Sequence, residues 1–374
     1  MDQHNPDSLV SLLAEWLRPQ GVYTVTTGSG ELAEGVCARY GVENMEAATK
    51  LWRASLDGIP SAKAFLLGVP MDAGAGFARG SFLGPAAIRR TLVERGEWQR
   101  LRDLGVLDLG DVRIHPALIH DSMLAQSQLA AVRAARGWSV EESWPVSPLS
   151  LLDSVLRTLR DLAPDVPVCI LGGDHSISRV PVESLASRHA DGTLGCLHLD
   201  AHTDLLQHRE GNEWSFATWA WHANRALGGS ARLVQVGIRV SGTPKARWEA
   251  EQGVRQFWSS EILEQPEVTK AAILQALRDA GVQRLYVSHD IDAHDPAFAA
   301  CTGTPEPGGL SPAWVKSLLQ AAANEFCVVG CDLMEVAPGL HLEHAGEPER
   351  TLGLAADCVV LQLEGLVKHS PAHP

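Results

Sequence analysis

Val287-Ser288-His289-Asp290-Ile291-Asp292-Ala293-His294-Asp295-Pro296 joins an apolar run, Arg284-Leu285-Tyr286-Val287, to two aspartates spaced two apart. The β-branched and aromatic content of the run predicts a buried strand, and a strand's period of two puts Asp290 and Asp292 on one face. Two carboxylates facing the same way at a strand end repel each other unless a cation lies between them. Taken alone, the segment also reads as an acidic surface turn. Two further segments repeat the design. Leu194-Gly195-Cys196-Leu197-His198-Leu199 runs into Asp200-Ala201-His202-Thr203-Asp204, and Val166 to Leu171 runs into Gly172-Gly173-Asp174-His175-Ser176. In an open parallel sheet, sites form at the carboxyl ends of strands, so three such ends can converge on one crevice. Carboxylates and imidazoles together suit a divalent transition metal, and two histidines with four aspartates exceed what one ion needs. The expectation is a two-metal centre.

The 374 residues show alternating strand and helix signals from Phe65 to Leu363, which predict one large α/β domain over residues 63–374 behind an N-terminal helical extension over residues 1–62. In the extension, Ser8 is read as the cap of a helix from Leu9 to Leu17, and Met45 to Leu56 as a second helix, together an arm packed on the domain or on a neighbouring subunit. Core strands are expected at Ala64–Val69, Val106–Val112, Leu233–Ile238 and Phe326–Cys331, and helices at Ala86–Leu92, Met123–Ala135, Leu151–Leu162, Val268–Ala280 and Arg350–Leu366. After Asp204 the sequence reads as irregular, and the Gly- and Pro-rich Cys301–Leu310 reads as a rigid loop walling a pocket. With 31 basic against 45 acidic residues the net charge is −14, which disfavours nucleic acid and anionic membranes and tolerates a cationic substrate. Seven cysteines lack zinc-type spacing, and Cys169, Cys196, Cys327 and Cys331 lie in apolar runs, so a reduced, cytoplasmic chain is expected. Neither a signal peptide nor the ~20 apolar residues of a membrane span is read.

The ordered set Gly-Gly-Asp-His-Ser at 172–176, Asp-Ala-His-Thr-Asp at 200–204, Asp-Ile-Asp at 290–292, Thr-Gly-Thr-Pro at 302–305 and Met-Glu-Val at 334–336 resembles the ureohydrolase (arginase and agmatinase) family over roughly residues 64–366. The resemblance implies a three-layer α/β/α fold with a mainly parallel central sheet. It also implies a pair of Mn²⁺ or Ni²⁺ ions, a homotrimer or homohexamer, and hydrolysis of a guanidino C–N bond to urea plus ammonia or an amine by a hydroxide held between the ions. Position by position, it implies one ion at His175, Asp200, Asp204 and Asp290 and the other at Asp200, His202, Asp290 and Asp292. Asp204 would also orient the hydroxide, and Glu335 would hold the planar guanidinium by paired hydrogen bonds. For Glu335 the plain alternative is an exposed strand-end carboxylate.

The family's proton-transferring histidine has two alignments here. Trp214-Ser215-Phe216-Ala217-Thr218 puts Phe216 at its place, whereas Trp221-His222-Ala223-Asn224 supplies His222, which is preferred because departure of an amine needs a titratable donor. His289 and His294 are reserve candidates. Leu206 and Arg239-Val240-Ser241-Gly242 stand where arginases carry groups for the amino-acid end of arginine, so an α-amino acid would lose its polar partners. Guanidine or a small substituted guanidine is the expected substrate, as in the guanidine hydrolase branch, with an agmatinase- or guanidinobutyrase-type activity as the alternative. Trp219 and Trp221, with Trp214, could line a small cage for the cation, core packing being the alternative. A non-catalytic partner subunit and a single-zinc deacetylase of related fold remain as other classes; the latter has no use for the Asp290–Asp292 pair.

Overall fold

Apolar runs separated by amphipathic helices build, among the described residues of a computed structural model (6–19, 30–76, 78–139 and 143–370), a nine-stranded sheet. The remaining residues of the expected N-terminal extension, 1–5 and 20–29, lie outside the described ones. The strands are β1 (Leu17–Arg18), β2 (Ala64–Val69), β3 (Val106–Val112), β4 (Val168–Gly172), β5 (Leu194–Leu199), β6 (Leu233–Ile238), β7 (Arg255–Trp258), β8 (Arg284–Asp290) and β9 (Cys327–Met334), in the order β1-β3-β2-β4-β9-β8-β5-β6-β7. Every pairing is parallel except β1 with β3.

Helices cover both faces, so β2, β5 and β6 are buried at every position, as parallel strands are. Period-two alternation sorts their side chains. Ala64 and Leu66 of β2 with Leu197 and Leu199 of β5 face one core, under the helices Pro266–Asp279, Pro312–Glu325 and Glu349–His369. Phe65, Leu67 and Val69 face the opposite core, under the helix Pro148–Leu162 with its buried Leu149, Leu152, Val155 and Leu159. This is the three-layer α/β/α arrangement.

The structure departs from the sequence reading in several places, each for a local reason. The first helix spans Pro6–Trp16, so Ser8 lies inside it, and Leu17 belongs to β1, pairing antiparallel with Val112. A two-residue strand has no readable period. Leu13, Trp16 and Leu17 share their core with Trp52, whose Nε1–H donates to the Leu109 carbonyl at 3.0 Å. β4 begins at Val168 because Pro167 has no N–H to offer the ladder. β9 continues to Met334, burying Asp332 within a strand where sequence read a terminus. The tryptophan-rich stretch after Asp204 contains a helix, Trp219–Ala226.

What positions the site is strand order. β4, β9, β8 and β5 are contiguous although their sequence order is 4, 5, 8, 9. Leu171 pairs with Leu333, Leu333 with His289 and His289 with Leu199, so the four carboxyl ends finish level with one another.

Candidate metal centre

Each of those four strands releases its functional residues where the ladder stops. Asp290 ends β8, and its Oδ1 accepts the Asp292 N–H at 2.8 Å, capping a single 3-10 turn over Ile291–Ala293. That turn, not continued strand alternation, brings Asp292 into the site, where its Oδ1 accepts the Ala201 N–H at 3.0 Å. Beyond β4 the chain backs onto Met71 so closely that a Cβ on Gly173 would lie 1.8 Å from the Met71 carbonyl oxygen, and only glycine fits. Asp174 then accepts the N–H groups of Ser176 at 2.9 Å and Gly74 at 2.8 Å, turning His175 inward.

His175 Nδ1 lies 3.1 Å from Asp200 Oδ2, 3.0 Å from Asp290 Oδ2 and 3.6 Å from Asp204 Oδ2. His202 Nδ1 lies 3.0 Å from Asp292 Oδ2 and 3.4 Å from Asp200 Oδ1. Two groups of possible ligands emerge, each with donor atoms within 4.8 Å of one another: His175, His198, Asp200 and Asp204, and Asp200, His202 and Asp292. Asp200 belongs to both. The six residues expected from sequence therefore surround one point, and all but His202 are buried.

The donor set fits cations. His175 Nδ1 is buried without a hydrogen bond, while its Nε2 meets Ser288 Oγ at 2.9 Å. With the ring proton on Nε2, the Nδ1 lone pair faces three carboxylates, the tautomer a metal ligand needs. Charges alone do not settle comfortably here. Burial, reinforced by the Asp200 charge, pushes the Asp204 carboxyl up to about 8, and burial with the Asp292 and Asp200 charges drives Asp290 well above the carboxylate range. Burial opposes a charge on Asp200 too, but the imidazoles packed around it, His198 first and then His175 and His202, hold it well below the ordinary value. Burial disfavours a charged His202, yet Asp292 beside it raises that imidazole to about 12. So many carboxylates in one place retain protons unless cations replace them.

A layer behind the ligands escaped the sequence reading. His198 Nε2 meets Asp200 Oδ2 at 2.7 Å, and its Nδ1 accepts Gln235 Nε2 at 2.9 Å, which orients the ring toward the carboxylate. Ser288 Oγ–H donates to Asp332 at 3.0 Å, and Tyr286 O–H donates to the same carboxylate at 2.8 Å. The available signal was period two: His198 and Ser288 stand two residues before Asp200 and Asp290, on the same strand faces.

The expected cation cage is not assembled. Trp219 is fully buried beneath the ligands, stacked on His175 at 4.6 Å between ring centres, and its Nε1–H donates to Asp204 Oδ2 at 2.9 Å. It supports Asp204 from beneath and does not open onto solvent. Trp221 lies under the Arg225 guanidinium at 4.9 Å, and Trp214 between His120, 3.8 Å away, and Arg179, at 3.7 Å. His222 Nε2 rests against the Gln207 carbonyl at 3.1 Å, and the ring is not brought into either ligand group. Its pKa is lowered by burial and by Arg179. Phe216 packs toward Gly76. Arg239 donates to the carbonyls of Asp292 at 2.6 Å and Glu306 at 2.8 Å, clamping the ligand turn to the Gly- and Pro-rich loop.

Glu335 follows β9 in a left-handed conformation, φ 62°, and its Oε1 accepts the His175 N–H at 2.9 Å. It is buried, not the exposed strand-end carboxylate of the plain reading. Burial, then the nearby Asp174 charge, pushes its carboxyl well above the ordinary range, so a cation beside it would restore the charged form.

A mainly parallel sheet whose carboxyl ends carry two overlapping carboxylate–imidazole groups defines the class, an arginase-like α/β fold. The sequence profile of the Arginase family matches residues 62–363. The chain is 31% identical over 288 residues to mitochondrial guanidino acid hydrolase of Homo sapiens, covering 74% of this chain and 71% of that protein. It is 29% identical over 294 residues to guanidinobutyrase of Pseudomonas aeruginosa, covering 76% of this chain and 81% of that protein. The solved structure of proclavaminate amidino hydrolase from Streptomyces clavuligerus superposes with a TM-score of 0.63 at 28% identity, over 82% of this chain and 92% of that one. The chain belongs to the Arginase family, a family of binuclear metal hydrolases.

Proposed function

We propose that this protein hydrolyses the C–N bond of guanidine or a small substituted guanidine to urea and ammonia or an amine. Two divalent ions, Mn²⁺ or Ni²⁺, would be held by His175, Asp200, Asp204 and Asp290 and by Asp200, His202, Asp290 and Asp292. The observation that carries the reading is the unbonded His175 Nδ1 among three carboxylates, with Asp200 shared between both ligand groups. When bound, such ions supply a water acidic enough to attack near neutral pH, and they polarise the group it attacks.

The chain's own residues do the rest. Asp204, in a left-handed conformation at φ 52°, has one oxygen fixed by Trp219, leaving the other to orient the attacking water and take its proton. A carboxylate so placed can accept that proton and pass it to the leaving nitrogen. We give this role to Asp204 rather than to His222, whose ring is engaged with Gln207. Glu335 Oε1 is fixed by the His175 N–H, and its Oε2 points toward Gly303, where a planar cation can lie against the carboxylate.

The rim supports a small substrate. Leu206 and Val240 are exposed apolar side chains, and Val240 pairs with His202, so this side of the mouth favours a substrate without the charged end of an α-amino acid. A second reading, an ω-guanidino acid, is favoured by the names of the human and Pseudomonas relatives. We further propose a homotrimer or homohexamer with residues 1–62 as an extension of one catalytic domain, 63–374. The free state of all seven cysteines supports a reducing, cytoplasmic setting, and the net charge of −14 argues against nucleic-acid partners. No helix of the described residues is long and apolar enough to cross a membrane.

The test is urea release from metal-analysed protein loaded with Mn²⁺ or Ni²⁺, against guanidine, methylguanidine, agmatine, guanidinobutyrate, arginine and biguanides. Preference for guanidine or methylguanidine is expected. Preference for guanidinobutyrate selects the second reading, and absence of urea from every compound by protein holding two ions refutes both.

A further inference from the structure

Two histidines of the opening segment, His289 and His294, have no part in the reaction described above, yet they are among the most deeply buried polar residues of the fold. They flank the ligand turn, one before Asp290 and the other two after Asp292. Their rings converge nitrogen to nitrogen, with His289 Nε2 3.2 Å from His294 Nε2. Cys358, on the helix Glu349–His369, completes the group with its Sγ 4.0 Å from His294 Nε2. Donor atoms of all three lie within 4.8 Å of one another, and the residues are 0%, 1% and 6% exposed.

We propose that His289, His294 and Cys358 form a third metal site, distinct from the carboxylate centre, which takes one thiophilic closed-shell ion of the Zn²⁺ or Cu⁺ kind. Metal–nitrogen bonds of about 2.0–2.1 Å and a metal–sulfur bond of about 2.3 Å require nitrogen–nitrogen and nitrogen–sulfur separations of roughly 3.3–3.6 and 3.5–3.8 Å. Two of the three observed separations, 3.2 and 4.0 Å, lie within a few tenths of an ångström of these, and the third, from His289 to Cys358, is within 4.8 Å. Donor chemistry separates this site from its neighbour. Two imidazoles and a sulfur select soft ions, whereas the aspartate-rich centre selects harder ones.

Hydrogen bonding alone does not satisfy the group. If one ring donates through Nε2 to the other, only one Nε2 lone pair is used, and Cys358 contributes only a long, weak contact. An ion uses both Nε2 lone pairs and the sulfur together, and several coordinate bonds outweigh the one hydrogen bond they replace. The Cys358 thiol gives up its proton to solvent as its sulfur–metal bond forms, one proton for each ion taken up. Such an ion would tie the C-terminal helix to the turn that carries Asp290 and Asp292. The site is enclosed, so it fills as the chain folds.

The experiment uses full-length protein produced in cobalt-supplemented medium, in a Cys37→Ser, Cys327→Ser background that removes the two cysteines with solvent exposure. Carboxylate–imidazole cobalt sites lack the near-ultraviolet charge-transfer band of a cobalt–thiolate bond. The band is expected at about one thiolate per chain and is lost in both Cys358→Ser and Cys358→Ala, two variants of similar size, so that failure of one to fold leaves the other. Its absence from the parent protein, or its survival in either folded variant, overturns the proposal. Elemental analysis of protein grown without cobalt identifies the resident ion, zinc or copper. That content must fall by about one equivalent in the variants while manganese or nickel is unchanged, and an unchanged count likewise overturns it.

Discussion

Trp219→Phe isolates the support of one ligand from the ligand itself. The indole N–H donates to Asp204 Oδ2 at 2.9 Å inside a fully buried site, and the ring stacks on His175. Phenylalanine keeps an aromatic face against the imidazole and removes the donor. A hydrogen bond to a charged group contributes about 1.5–3 kcal/mol, and each 1.36 kcal/mol is a factor of ten, so ion affinity at neutral pH should fall about 10- to 100-fold. The sign with pH follows from the same bond. The donor favours the charged carboxylate, so its loss raises an Asp204 pKa that already stands at about 8, and protons compete with the ion over a wider range. The defect should therefore be largest near pH 7 and shrink by pH 9 or so. Chelator-buffered metal titrations at the two pH values measure it, with a thermal melt to show that the variant is folded. Equal affinity of variant and parent at both pH values would refute a ligand role for Asp204 supported by Trp219.

Asp290→Ala and His202→Ala each remove a ligand from the cluster and should abolish urea release; full activity with two ions bound in either variant would sink the two-ion reading. Glu335→Gln keeps the hydrogen bond from the His175 N–H but loses the charge facing a guanidinium, so kcat/KM should fall about 30- to 1000-fold, or roughly 2–4 kcal/mol, with metal content unchanged in the same preparation. His222→Asn, at a ring engaged with Gln207, should leave turnover within about threefold, and a loss above a hundredfold would return the proton transfer to that histidine. Metal-stripped protein should lose thermal stability as pH rises. Asp204 titrates at about 8 when folded and ordinarily at 3.8, so its contribution is complete below the lower value and lost by the upper one. Melts in chelator across that window should flatten in Asp204→Asn, and an unchanged slope would contradict the assignment.

Strands ending in ligand-type residues were legible because burial on both faces leaves few ways to write a parallel strand, and β2, β3, β5 and β6 lie where their apolar runs put them. The six candidate ligands could be picked out because they sit at those ends. What sequence did not disclose depends on neighbours far along the chain. Trp219 read as a candidate for the substrate cage because a tryptophan's spacing says nothing of where its N–H points; the helix Trp219–Ala226 turns it beneath Asp204. Asp332 read as the residue after a strand, since a carboxylate is costly inside a sheet, and only the pairing of β8 with β9 reveals the Tyr286 and Ser288 hydroxyls that satisfy it. His222 was preferred for its chemistry, and its distance from the ligands was not written in any local pattern.

The seating of β8 and β9 between β4 and β5 has a consequence for biosynthesis. A nascent chain released only as far as β6 holds both flanks of the future crevice with nothing joining them, and two open strand edges stand ready to pair with another molecule. Asp290 and Asp292 emerge from the ribosome long after His175, and the full set of candidate ligands is not assembled until β8 enters the gap. A chain that stops before β8 would lack two of the six candidate ligands and keep both edges open to pairing.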